Sequence, residues 1–390
     1  MKEVTKMTSE SASSKEAMCN LLSKLKGEIH SLKLKEYWDE FSFSAIALYN
    51  KEEIYVINHN SLPNDFVKLK GDIYVGKWNP SFCGSTAINY SGQYMAIWDM
   101  DEDIQYESLY AGIVHELFHS YQLKSGEERW ANELLAVAYP YTKNNIALRL
   151  EERKKLLKAV FEKDYDKRLE YIKGFISCRE QRKEEIREYL NYELALESIE
   201  GTASYVEYKA YLDKTKLPVE FVLSKFGKSL IDDNDGLLQF RASCYTTGLY
   251  MCVLLDSFGA EWQEEYMNSK LYLYEFLLEK INIKEKIEVK IDDYSNAEKM
   301  LKVLESEKRN ALNDFYETEG RKVTLKENMK LTGFDPMNVV PIDGLILHKH
   351  FIKLSNEKEE IYLDGPVLAK HKAENLWEIS EVQYINKEIQ

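Results

Sequence analysis

LYAGIVHELFHSYQL, residues 109–123, is the segment on which the reading of this chain turns. Leu109, Ile113, Val114, Leu117 and Phe118 recur at helical intervals, which predicts a helix through the whole segment. Residues four apart on a helix stand about 40° from each other and one turn along, so His115 and His119 project from one face and can share a metal ion. Glu116 lies beside them, placed to take a proton from a metal-bound water and not to ligate the ion. Two imidazoles at this spacing, with a glutamate after the first, point to zinc and to hydrolysis, because the ion lowers the pKa of its water towards neutrality. Two other readings compete. One is a metal-free helical protein in which the string is coincidence. The other is a fold that keeps the motif for binding or scaffolding without turnover.

Zinc in a hydrolase takes three protein ligands and leaves one position open. No histidine follows His119 until His348, so the third ligand is expected to be a carboxylate. Glu200 lies in LESIEGTASYVEY, where Gly201 and Ala203 would let one helix back press close against another. It also belongs to an acidic stripe, Glu193, Glu197, Glu200 and Glu207. Such a stripe is a solvated face unless a cation makes the crowding favourable. Glu133, in RWANELLAVAYPY, is the rival: a helical hairpin turning at Gly126 would bring it back level with His119. Both stay open, with Glu197 and Glu193 behind them.

HELFHSYQ followed by EGTASYVE resembles the gluzincin class of zinc metallopeptidases. There HExxH supplies two ligands, and a downstream glutamate in an E-G-x-A or N-E-x-x-A setting supplies the third. Glu200-Gly201-Thr202-Ala203 matches the first form and Asn132-Glu133-Leu134-Leu135-Ala136 the second. The resemblance covers residues 70–260 and implies a zincin-like catalytic body, a zinc cofactor and a peptide or protein substrate. Within FRASCYTTGLYMCVLLDSFG, Tyr245-Thr246-Thr247-Gly248 resembles the family's Y-x-x-G. That match implies that Tyr245 hydrogen-bonds the oxyanion formed when a peptide carbonyl is attacked, a donor such chemistry needs in any case. Arg241, one turn earlier, could assist or could bind a substrate carboxylate. A G-x-M-E-N element is absent, so aminopeptidase specificity is not implied. Gln93–Trp98 looks like the edge strand preceding the active-site helix.

Outside this region, FSAIALYNKEEIYVIN (43–58) reads as a hairpin around Asn50–Glu53, and residues 73–78, 85–90 and 93–100 extend the strand signal. Helical periods then run through 105–124, 128–138, 144–162, 166–212, 218–225 and 237–257, and a short strand and a charged helix follow from 284. Strands resume beyond Gly320. The expected fold is therefore α+β and mostly helical. Residues 1–320 form the catalytic domain, with a sheet over 40–100 and a helical metal-binding part over 101–320, and 321–390 form a small C-terminal β module.

A formal charge of −14 disfavours nucleic acid as a partner. No apolar run reaches the roughly 18–20 residues of a membrane helix, and residues 1–35 lack the apolar core of a signal peptide. Five cysteines without C-x-x-C spacing fit a reducing compartment, so a cytoplasmic location is expected. Cys244 and Cys252 fall on an apolar helical pattern as buried thiols. His348-Lys349-His350 alternates within an expected strand, which puts both imidazoles on one exposed face. A second metal there would need Glu357, Glu359 or Glu360.

Overall fold

The computed structural model describes residues 2–100, 104–259, 261–283, 287–356 and 359–386. The chain is mixed α+β, with more helix than strand and two separate sheets. Among the described residues no helix is long and apolar enough to cross a membrane. Two compact units emerge: residues 1–130, 197–226 and 248–280 form the first, and 131–196, 227–247 and 281–390 the second.

The sheet of the first unit comprises β1 (Ala45–Tyr49), β2 (Glu53–Ile57), β3 (Val67–Lys70), β4 (Ile73–Lys77), β5 (Thr86–Tyr90) and β6 (Gln93–Asp99), in the order β3-β4-β2-β1-β6-β5. Only β1 and β6 pair in parallel. Asn50 turns the first hairpin: its side-chain oxygen accepts from the backbone N–H groups of Glu52 and Glu53, each at 2.9 Å. Every residue of β1 is buried, because Ala45, Ala47 and Tyr49 join Val56, Phe82, Met95 and Ile97 in a core on one face, and the other face is covered as well. β6 is interior, so the expectation that Gln93–Trp98 forms the sheet edge is corrected. Its Met95-Ala96-Ile97 run is buried throughout, as a doubly covered strand requires, whereas β5 is only half-buried and forms the edge.

The helix Tyr106–Lys124 packs on β6 and β5. Its closest approach is at Gly112, where a Cβ would stand 2.3 Å from the Trp98 ring. Behind the helix, Phe118 meets Trp38 edge-on at 5.0 Å, and Trp38 also contacts Tyr205, Trp262 and Tyr266. Gly201, on the helix Glu188–Lys214, has the use expected of it but a different neighbour. Its Cβ would lie 2.4 Å from Gly248 Cα, so the glycines let this helix touch Phe240–Phe258 and not the helix of the two histidines.

In the second unit, helices Lys143–Phe161 and Tyr165–Ile186 pack around an ionic core. Arg149, Arg179 and Arg182 surround Glu152 and Glu193, all of them buried, with the Tyr139 hydroxyl donating to Glu193 at 2.5 Å. Burial pushes the Glu193 carboxyl up, but Arg182 and Arg149 outweigh it and hold the pKa at about 2. The charge of Glu193 is thus neutralised by arginines. The helical run expected over 166–212 breaks at Arg187, whose φ is +50°. The helix expected over 128–138 is reduced to a short 3-10 segment, Glu133–Ala138, because nothing amphipathic precedes it. The strand expected from 284 is not formed at residues 287–294, which carry no regular structure.

From Arg321 the strands β7 (Arg321–Leu325), β8 (Met329–Phe334), β9 (Val339–Ile342), β10 (Leu345–His348), β11 (Phe351–Ser355), β12 (Glu360–Asp364), β13 (Val367–Lys372) and β14 (Asn375–Asn386) form one sheet. Its order is β12-β11-β8-β14-β13-β10-β9, with β7 also on β14. His348 and His350 do not share a face, which corrects the strand reading. β10 ends at His348, which is buried, and the chain bends so that exposed His350 pairs with Asp335 at 2.9 Å. Glu357 lies outside the described residues, and Glu359 and Glu360 are exposed. The partner of His348 is His371 of β13, Nε2 to Nε2 at 3.4 Å. Cys244 and Cys252 are buried and neither is in a disulfide, and Cys244 Sγ accepts from Arg149 Nη2 at 3.7 Å.

The packing at Gly112 and the buried histidine pair each lead to an expected outcome. Gly112→Ala forces its methyl into the Trp98 ring and should destabilise the chain by about 1–3 kcal/mol, read as a lower urea midpoint; an unchanged midpoint would contradict the close approach. The second concerns acid. Burial, and His371 beside it, lower the His348 pKa to about 3, whereas an unfolded histidine titrates near 6.5. Below about 6.5 the unfolded chain therefore binds more protons, so stability that is complete above that pH is lost as the pH falls towards 3, by about 2 kcal/mol at pH 5. Hydrogen exchange, corrected for intrinsic rate, should show β10 and β13 losing protection between about pH 7 and 5. Equal protection at both would refute it.

Candidate metal centre

The helix Tyr106–Lys124 presents His115 and His119 one turn apart, and both rings are buried. Their Nε2 atoms converge to 3.0 Å, a separation that an N–H···N hydrogen bond between the rings or a shared cation can satisfy. Facing them is Glu200, whose Oε2 lies 3.1 Å from His119 Nε2 and 3.5 Å from His115 Nε2. Among the described residues this is the one group of three such side chains whose donor atoms all lie within 4.8 Å of one another. A point about 1.9 Å from all three atoms exists, close to the ~2.0–2.1 Å of a metal–nitrogen bond. The donor set fits a divalent ion with three protein ligands.

The far side of each ring is fixed as well. His115 Nδ1 lies 3.0 Å from the Glu207 carboxylate, and His119 Nδ1 lies 2.7 Å from Gln122 Oε1. An acceptor on Nδ1 places the proton there and leaves the Nε2 lone pair facing the centre, the tautomer a metal needs. Gln122 also reaches the opposing helix. Its amide nitrogen donates to Ile199 O at 3.0 Å and to Thr202 Oγ1 at 3.1 Å, both on the helix that carries Glu200. Burial alone would strip His115 of its charge, but Glu200 and Glu207 reverse this and raise its pKa well above the ordinary value. The pocket thus favours positive charge, which a proton or a metal ion can supply.

Glu116 is half-buried beside the two rings, and among the described residues no side chain hydrogen-bonds its carboxylate. Burial raises its pKa above the usual range, against the lowering pull of His115 and His119. Such a carboxylate can accept and release a proton at a reacting atom. No family model, no curated protein and no solved structure matches this chain. The site must be read from its own residues.

Glu133, the other carboxylate considered for the metal, is engaged within the second unit. Arg241 donates to it from Nη2 at 2.7 Å and the Tyr192 hydroxyl at 2.9 Å. The hairpin that would return it to His119 does not form: Gly126, at φ +74°, ends the helix, and residues 127–132 carry no regular structure. Arg241, expected to assist the oxyanion donor or to bind a substrate carboxylate, has Glu133 as its acid and lies 5.1 Å over the ring of half-buried Tyr245, in the same unit. Of the acidic stripe, Glu200 and Glu207 reach the histidines. The roles of Glu207 and Gln122 are not foreseen from the sequence. A signal for Gln122 exists there, since a residue three after His119 on a helix lies on the same face.

Glu207→Ala leaves the His115 ring without its acceptor and should weaken metal binding about 10–100-fold in a chelator competition. An unchanged affinity would mean that the carboxylate does not orient the ring.

Proposed function

We propose that this chain is a zinc-dependent metallopeptidase of the gluzincin type, built on a zincin-like catalytic body. The observation that carries the reading is the convergence of His115, His119 and Glu200 with a half-buried Glu116 that, among the described residues, has no hydrogen-bonding side chain of its own. His115, His119 and Glu200 would hold the ion. Zinc there supplies an acidified water and polarises a carbonyl. Glu116 takes the proton from the attacking water and returns it to the leaving amine, a shuttle suited to a carboxyl whose pKa burial has raised. Glu207 and Gln122 keep the imidazoles in the ligating tautomer throughout.

The outer edge of β5, in the same unit, belongs to the sheet on which the ligand helix packs. An extended peptide could bind there through its main chain, as an added strand. The role of oxyanion donor falls to Tyr245 on the resemblance alone. Five cysteines, none of them in a disulfide, agree with a reducing, cytoplasmic setting.

The test is elemental analysis of the purified wild type, His119→Ala and Glu200→Ala, paired with peptide-library cleavage by the wild type and Glu116→Gln. The expected outcome is about one zinc per chain, lost in both ligand variants, and cleavage reduced at least a thousandfold by Glu116→Gln with zinc retained. Zinc without cleavage would turn the reading to a catalytically silent binding or scaffold protein. No zinc after metal-supplemented purification would end it.

A further inference from the structure

The turn that follows the ligand helix displays an aromatic ring beside the metal centre. Trp130 is 41% exposed, and its ring centroid lies 6.3 Å from that of His119, at an angle of 46°. A single exposed apolar ring is ordinary on a protein surface; what distinguishes this one is its place beside His119 and the way it is held there.

The ring is held in that position. Its indole N–H donates to Glu127 O at 2.8 Å. Glu127 is itself locked: its carboxylate accepts from the backbone N–H groups of Glu128 and Arg129, each at 2.9 Å, and from the Arg129 guanidinium at 2.7 and 2.5 Å. Arg129 is almost fully buried, donates to Leu271 O at 2.7 Å and lies 4.1 Å over the ring of Tyr266. A surface turn can be built without a buried arginine and a saturated carboxylate. Their effect here is to present Trp130 in a fixed attitude, so that a ligand meets a preorganised apolar wall and loses little entropy in ordering it.

Resting on the metallopeptidase reading, we propose that Trp130 is the specificity wall of the site, receiving the side chain of a residue that flanks the scissile bond and selecting aromatic or large aliphatic residues there. Successive Cα atoms are only about 3.8 Å apart. A side chain next to the attacked carbonyl therefore extends into the space around the metal ligands, where the Trp130 ring stands closest to His119. The indole offers a flat apolar face and, with its N–H committed to Glu127, no free donor for a polar side chain.

The experiment is a peptide library in which each residue flanking the cleaved bond is varied, profiled with the zinc-loaded wild type, Trp130→Ala and Trp130→Phe, with zinc content measured for each. The wild type should favour Phe, Tyr, Leu or Met over Ala at one flanking position. Trp130→Ala should lose at least tenfold of that ratio in kcat/KM while still holding one zinc, and Trp130→Phe, which keeps a ring, should retain most of it. If the wild type cleaves but Trp130→Ala keeps the same preference, this inference falls and the peptidase reading stands. A wild-type preference for Lys or Arg at that position would overturn the apolar assignment in favour of a cation over the ring. If the wild type cleaves nothing, the peptidase reading fails and the inference goes with it.

Discussion

One buried amide sets the register on which the site depends. Gln122 accepts from His119 with its oxygen and donates to Ile199 and Thr202 with its nitrogen, so a single planar group joins a metal-ligand candidate to the helix that carries Glu200. Apolar packing resists sliding through many small contacts whose sum is large, but none of them requires one particular partner. A buried amide cannot follow such a slide without leaving polar groups unsatisfied, at about 1–3 kcal/mol each. The separations between Glu200 and the two imidazoles, 3.1 and 3.5 Å, are therefore defined by a hydrogen bond that touches no metal.

Around that tie the packing is arranged to leave little slack. Gly112 brings the helix of the two histidines onto Trp98 on one side, and Gly201 brings the opposing helix onto Gly248 on another. In both places a hydrogen stands where any other residue would put carbon, so the helices approach closely and their axes are fixed by backbone and ring. Trp38 meets Phe118 and three further aromatic rings, Tyr205, Trp262 and Tyr266, in edge-to-face contacts, a geometry with more directional preference than aliphatic packing.

Sequence patterning reveals the parts of this arrangement that obey a short period. The HELFH helix and the Asn50 hairpin follow from spacings of two to four residues, whereas the need for a carboxylate leaves Glu200 and Glu133 both open and only the fold brings Glu200 to the histidines. What stays hidden depends on contacts between distant segments. Glu207 looks like one more acid in a stripe, and only the position of His115, 92 residues earlier, gives it a partner. Glu193, on the same stripe, turns instead to arginines contributed by two other helices. β3 leaves no trace in the pattern because Val67–Lys70 is exposed throughout, which erases the alternation that marks a half-buried strand. The strand signal at His350 is cut short by the bend at Lys349, and the hairpin that would carry Glu133 is replaced by the irregular segment after Gly126.

The solitary carboxylate of Glu116 bears on how such a chain drifts. A half-buried acid that, among the described residues, has no hydrogen-bonding side chain weakens the fold, and replacing it with a similar-sized apolar residue would remove that weakness at a stroke. Mutation offers that replacement continually, and a lineage under selection for folding alone would accept it. The same pressure would act much less on Glu207, which pairs with His115. On the metallopeptidase reading proposed above, descendants that abandoned chemistry should therefore lose Glu116 before the residues around it, leaving the convergent His115, His119 and Glu200 in place as a relic.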